Sequence, residues 1–182
     1  MHWYGKPWKA GWPAVNSAAG RRKYSISRAS RTLPRLSRAE SICCLHMNLS
    51  MRYLLDTCVV SDFARGHPQV LARTKAASPD DIAVTTITMM EVEYGLRLNE
   101  ALERKLRPVI QAFFQSVLVL PYEEGDAQAS AVVRAALKKQ GKPIGAYDIL
   151  IAGCALSRGL TLVASNTGEF AHIQGLVLEN WR

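Results

Sequence analysis

From Met51 onward the chain alternates between two hydrophobic rhythms. Short apolar runs bounded by turn residues predict strands over 53–55, 82–87, 117–120 and 160–164, with a last short strand at 176–178. The run at 82–87 is β-branched and follows the turn Pro79-Asp80-Asp81. Longer stretches with apolar residues every three or four positions predict helices over 59–64, 68–77, 88–98, 100–115, 123–140 and 146–158. A turn and short helix span 165–172. Leu102, Leu106, Val109, Ile110 and Phe113 share one face of the helix at 100–115, and Pro108 within it predicts a kink or a division. The helix at 123–140 is acidic at its start and carries Lys138 and Lys139 at its end, an order that suits the helix dipole. Gly66, Gly141 and Gly159 mark helix stops.

Strands separated by helices pair in parallel through right-handed crossovers. The expected fold is α/β: a three-layer α/β/α sandwich around a central, mainly parallel sheet of four or five strands. Residues 51–182 show no internal repeat and read as one domain.

Residues 1–50 do not follow this pattern. They lack sustained periodicity and are rich in Ser, Arg, Trp, Gly and Pro, a composition that predicts disorder. The formal net charge of +8 lies entirely in this leader: nine Lys/Arg stand there against Glu40, while residues 51–182 carry fourteen basic and fourteen acidic groups. Three readings of the leader compete. Basic residues interleaved with Trp3, Trp8 and Trp12 suit RNA; an Arg- and Ser-rich, acid-poor segment suits a transit peptide; or the functional start is Met47 or Met51 and the leader is a start-site artefact. The third is preferred, because the first strand follows Met51 directly. No apolar run approaches the ~18 residues of a membrane span. The cysteines, Cys43, Cys44, Cys58 and Cys154, form no CxxC pair. That argues against a disulfide framework or zinc and for reduced thiols in a cytoplasmic protein.

Candidate chemistry gathers where strands end. Asp56-Thr57 follows the first strand, Glu91 follows the second, Asp148 opens an apolar helix, and Asn166 and Glu169 follow the fourth strand. Each has a structural explanation. Asp56 and Asn166 sit where helix caps sit, and Thr88-x-x-Glu91 and Asn166-x-x-Glu169 fit capping boxes. Asp148 suits a helix N-terminus. Glu93 lies about 200° around a helix from Glu91, so both cannot serve one site. Taken together, carboxylates that share a site need a cation to stay ionised, and oxygen donors without His select Mg²⁺ or Mn²⁺. Such an ion suits phosphoryl chemistry. His67 and His172 read as surface residues.

The segments Leu54-Leu55-Asp56-Thr57, Glu91-Val92-Glu93-Tyr94-Gly95-Leu96, Ile144-Gly145-Ala146-Tyr147-Asp148 and Ala164-Ser165-Asn166-Thr167-Gly168-Glu169-Phe170, in this order, resemble the PIN-domain ribonucleases, and most of all the VapC toxins of toxin–antitoxin pairs. The resemblance covers residues 51–182. It implies Mg²⁺- or Mn²⁺-dependent endonucleolytic cleavage of RNA, with Asp56, Glu91 and Asp148 as metal ligands and Thr57, Asn166 and Glu169 in support. It also implies structured RNA substrates including tRNA, a cognate antitoxin, a homodimer and no membrane. Cys58 departs from the pattern, which usually has Asn there. That departure motivates an alternative: a PIN-like module that binds RNA or antitoxin without cutting. A DNA nuclease on the same scaffold is a third reading. For substrate binding the candidate cations are Arg65, Arg73, Lys75, Arg97 and Lys142.

Overall fold

The first apolar run becomes the central strand of the sheet. The structure, a computed structural model, describes residues 51–182; the expectations for residues 1–50 lie outside the described residues. In chain order the elements are β1 (Tyr53–Leu55), α1 (Thr57–Arg65), α2 (Pro68–Ala76), a 3-10 turn (Pro79–Asp81), β2 (Ile82–Thr85), α3 (Thr86–Arg97) and α4 (Glu100–Ser116). They continue with β3 (Leu118–Leu120), α5 (Glu124–Lys139), α6 (Ala146–Arg158), β4 (Thr161–Val163), α7 (Thr167–Phe170) and β5 (Leu178–Glu179). The five strands lie in the order β3-β2-β1-β4-β5, and every neighbouring pair is parallel.

Two-residue alternation divides the core into the expected layers. Leu54, Ala83, Leu162 and Ala164 point into one cluster, which they share with Val133 and Leu137 of α5 and Ile151 and Ala155 of α6. Leu55, Ile82, Val84 and Val163 point into the other, against Val59 and Phe63 of α1, Val92 and Leu96 of α3, and Ile110 and Phe113 of α4. Leu54 and Leu55 are both fully buried, so the sheet is covered on both faces. Each such burial contributes about 1.5–3 kcal/mol. Gly66 and Gly159 adopt left-handed backbone (φ 81° and 64°) and close α1 and α6, as expected of helix stops.

Three local expectations change. The second strand ends at Thr85 rather than at 87, because the Thr85 hydroxyl accepts the Thr88 amide at 2.9 Å and starts α3 there. Of the two outcomes expected at Pro108, division does not occur, and α4 is one helix. Pro108 is exposed, so water can reach the carbonyl it leaves without a partner, while buried Leu106, Ile110 and Phe113 hold both halves to the core. The last strand forms at Leu178–Glu179, where the Ala164 amide reaches the Glu179 carbonyl at 3.1 Å.

The strand order positions the site. The chain moves outward from β1 to β2 and β3, then returns across β1 to β4. The connections therefore diverge between β1 and β4, and the loops at the C-terminal ends of these two strands flank a crevice of the kind where α/β sheets bind ligands.

Candidate metal centre

Asp56 follows β1 and occupies the N-cap position of α1 with extended backbone (φ −74°, ψ 162°), yet its side chain makes no capping hydrogen bond. It is only 3% exposed. Its Oδ2 accepts the Cys58 thiol at 2.8 Å, and its Oδ1 is buried with no hydrogen-bond partner. Burial raises its pKa and the Glu169 charge adds to that; the Cys58 thiol and the nearby Thr57 and Cys58 amides work in the other direction. A carboxylate this buried, with one oxygen unsatisfied, is costly unless something positive meets it. Capping does not account for it.

Thr57, next in the chain, donates its hydroxyl to Glu91 Oε2 at 2.6 Å. Glu91 lies in the second turn of α3, because Thr85 rather than Thr88 is the cap, so the Thr88–Glu91 capping box does not form. Glu93 faces away, paired with Arg97 at 2.8 Å and Arg107 at 3.1 Å.

Asp148 lies in the first turn of α6. A Cβ on Gly145 would stand 2.5 Å from Asp148 Oδ2, so only glycine lets the carboxylate fold back over the helix start. Its pKa is pushed up to about 6, first by burial, then by the charges of Asp56, Glu169 and Glu91, with a hydrogen bond to Glu169 adding to the rise. Asn166 is the N-cap of α7 and, like Asp56, makes no cap bond; its Oδ1 is 3.7 Å from the Cys58 sulfur. The structure thus brings Asp56, Glu91 and Glu169 within electrostatic reach of Asp148, with Thr57 holding Glu91 and Asn166 beside Cys58. The Cys58 thiol is pushed up to about 12 by burial and by the Asp56 charge, so it stands protonated at neutral pH.

Residues 53–176 match the family described as PIN domain. The chain belongs to the PIN-domain family. It is 34% identical over 131 residues to the tRNA(fMet)-specific endonuclease VapC of Shigella flexneri, an alignment covering 72% of this chain and 98% of that protein. It is 35% identical over 131 residues to the ribonuclease VapC2 of Haemophilus influenzae, with the same coverage. Among solved structures, the DNA-bound VapBC complex of Salmonella typhimurium matches with a TM-score of 0.67 and 33% identity, over 72% of this chain and 99% of the matched one. The toxin–antitoxin resemblance read from the motifs therefore holds at the level of family and fold.

The donors of this PIN domain suit a hard divalent cation. All are oxygens, the Asp56 Oδ1 atom is buried and unsatisfied, and the carboxylates raise one another's pKa in a way that a cation would reverse. As placed, no three His, Cys, Asp or Glu side chains among the described residues form a ready metal cluster. A bound ion would have to draw them inward against their mutual repulsion.

Sequence reasoning missed a support beneath this edge of the PIN domain. Asp62 of α1 is 4% exposed and receives Arg182 on both oxygens, Nε at 2.7 Å and Nη2 at 2.8 Å, together with the Ser165 hydroxyl at 3.1 Å. Burial works to raise its pKa, but these hydrogen bonds and the Arg182 charge outweigh it and hold the carboxyl below its ordinary value. An acid between Val60 and Phe63 was the available signal. Arg73 and Arg97 are committed to Glu179 and Glu93. Lys142 lies 3.3 Å from exposed His172, joining the segment before Asp148 to the segment after Glu169. His67 is half-buried with a buried, unsatisfied Nδ1, so it is not the surface residue expected. No helix among the described residues is long and apolar enough to cross a membrane.

Proposed function

We propose that this chain is a Mg²⁺- or Mn²⁺-dependent endoribonuclease and the toxin half of a toxin–antitoxin pair. The observation that carries the reading is Asp56: a buried carboxylate at a helix start that does not cap, with a free oxygen, grouped with Glu91, Asp148 and Glu169. The names of the VapC relatives support the same activity, and the first of them supports transfer RNA as the substrate class. A bound divalent ion would polarise a phosphate oxygen and lower the pKa of its water.

The chain's own residues would do the following. Asp56, Glu91 and Asp148 would hold the ion, and Asn166 or Glu169 would complete its shell. Thr57 fixes the Glu91 carboxylate in one rotamer through the 2.6 Å hydrogen bond. Gly145 keeps the approach to Asp148 free of a side chain. Lys142, in the segment before Asp148, and His172, in the segment after Glu169, lie 3.3 Å apart and would be the groups to meet the substrate backbone. An antitoxin and a second copy of the chain, acting in the cytoplasm, are the partners this reading implies. Exposed Met90 and Tyr94 on α3 and Tyr147 on α6 offer apolar surface for such contacts.

The test is cleavage of purified tRNA with Mn²⁺ by the native chain and by Asp56→Asn, Glu91→Gln and Asp148→Asn. The reading requires loss of at least ~100-fold in each variant and in EDTA, with folding retained. Undiminished cleavage in EDTA, or by Asp148→Asn, would sink it. The absence of a ready three-residue metal cluster among the described residues favours one competitor, a PIN-like module that binds RNA or antitoxin without cutting. RNA binding without metal, and no cleavage under Mn²⁺ by the native chain, would select that competitor.

A further inference from the structure

Cys58 sits between the two loops that flank the crevice, and its single sulfur meets both. From the β1 side, its thiol donates to Asp56 Oδ2 at 2.8 Å. From the β4 side, it accepts the Ser165 backbone amide at 3.2 Å, and Asn166 Oδ1 lies 3.7 Å away. A thiol has one proton to give. The nearer, charged acceptor takes it, because charge-assisted hydrogen bonds are the stronger kind. With the proton on Asp56 Oδ2 and the Ser165 amide on the sulfur, both polar functions of Cys58 are used.

The consequence falls on Asp56. Its carboxylate has two oxygens and two rotational states, and no N-cap hydrogen bond holds it, although the Thr57 and Cys58 amides lie near enough to favour its charge. The Cys58 thiol supplies a side-chain hydrogen bond to this carboxylate. It occupies Oδ2 and leaves Oδ1 buried and unsatisfied. A carboxylate held by one oxygen presents the other in a fixed direction. Ser165 is itself anchored, since its hydroxyl donates to Asp62 at 3.1 Å and Asp62 is clamped by Arg182. The sulfur therefore ties the Asp56 carboxylate, through Oδ2, to an anchored part of the β4 loop, next to Asn166.

We propose that Cys58 is the positioning residue of the metal centre: it orients Asp56 so that Oδ1 faces the cation, and it sets the spacing between Asp56 and the Asn166–Glu169 loop. This rests on the metal-dependent reading above. It also reverses an expectation from the sequence, where cysteine in place of the usual asparagine counted as a weakness. A thiol that gives one hydrogen bond and takes another does the orienting work of an amide with two heavy atoms fewer.

The test is calorimetric titration of Mn²⁺ into the full chain, free of substrate. Asp56→Asn serves as the variant that removes a ligand. Cys58→Ala is expected to weaken Mn²⁺ binding 10–100-fold, the usual effect of losing a partner that orients a ligand. Alanine also removes packing, so Cys58→Ser and Cys58→Asn carry the decision. Each restores a donor and an acceptor at the same place, and each is expected to bring affinity back to within a few-fold of native. Native titration by Cys58→Ala, or serine and asparagine variants that fold yet bind as weakly as alanine, would overturn the proposal. If Asp56→Asn loses binding while Cys58→Ala keeps it, the positioning role alone fails. If Asp56→Asn binds Mn²⁺ as the native chain does, the metal reading fails and this inference with it.

Discussion

Replacing Asp148 by Asn should make the metal-free protein more stable while removing its function. The folded structure raises this carboxyl from 3.8 to about 6, through burial and the charges of Asp56, Glu169 and Glu91. Its contribution to stability is therefore fully present below pH about 4 and is lost as the pH rises through about 6. At pH 7.5 the native protein holds an ionised Asp148 against its neighbours. Each tenfold in proton affinity is worth about 1.36 kcal/mol, which gives a cost of roughly 3 kcal/mol. Asp148 is only partly buried, so solvent screening reduces this to about 1–2 kcal/mol. Asparagine is the isosteric mimic of the protonated acid, and its amide can donate to Glu169 where the ionised carboxylate cannot. For a domain of this size, 1–2 kcal/mol is a rise of about 3–10 °C in Tm. The assay is thermal unfolding in EDTA by circular dichroism, native against Asp148→Asn, from pH 4.5 to 8. The gain should already be present but smaller at pH 4.5, grow as the pH rises towards 6 and level off above it. A gain that does not vary with pH, or a variant less stable than native at pH 7.5, would refute the electrostatic account of this site.

Thr57→Val removes the hydroxyl that fixes Glu91 and should lower Mn²⁺-dependent cleavage about 10-fold, while Thr57→Ser keeps most of it; equal loss in both would assign the effect to packing. Gly153 lies where α6 crosses α5, and an added Cβ would stand 2.7 Å from the Ser130 nitrogen and 2.8 Å from its Cα. Those are backbone atoms, so Gly153→Ala should cost at least about 1–3 kcal/mol in urea unfolding, and an unchanged midpoint would show that the helices can separate freely. Asp126, 2% exposed, accepts the Glu123 amide at 2.9 Å, Arg158 at 2.7 Å and the Ser157 hydroxyl. Burial works to raise its pKa, but these bonds outweigh it and hold the carboxyl below its ordinary value. Its stabilisation is present above pH about 4 and lost as the pH falls through the lowered folded value. Asp126→Asn should therefore cost about 2–3 kcal/mol at pH 7, less than a fully buried pair because Arg158 keeps some water, and the gap should narrow in strong acid. A gap that holds constant down to pH 2 would remove the charge from the explanation.

The layers were legible because they are written in local periods. Leu54 and Leu55 differ by one position and face opposite layers, which a period of two requires. Helix α6 was bounded correctly at both ends because an apolar run between Gly145 and Gly159 leaves little choice. The start of α3 was not legible. Thr85-Thr86-Ile87-Thr88 is β-branched throughout and reads as strand, and a hydroxyl three residues before a free amide occurs there twice. Only the pairing of Thr85 with Leu120 on β3 shows where the strand stops. The partners of the buried acids were illegible for another reason. Asp62 meets Arg182 across 120 residues, and Asp126 meets Arg158 across 32, and no local pattern encodes either distance.

The same limit explains why the candidate site could be located but not decided from sequence. Asp, Asn, Ser or Thr stands at the N-cap of four α-helices: α1, α3, α4 and α7. Thr85 and Asn99 use their side chains to cap, on Thr88 at 2.9 Å and Leu102 at 3.0 Å. Asp56 and Asn166 do not. A cap is worth about 1 kcal/mol, so a helix that forgoes one has its side chain engaged elsewhere. The two that forgo it are the two at the C-terminal ends of β1 and β4, the adjacent strands where the topology switches, and both lie against the sulfur of Cys58. Sequence shows four equivalent helix starts. Structure separates them by what their oxygens are left free to do, and the free ones lie on one crevice.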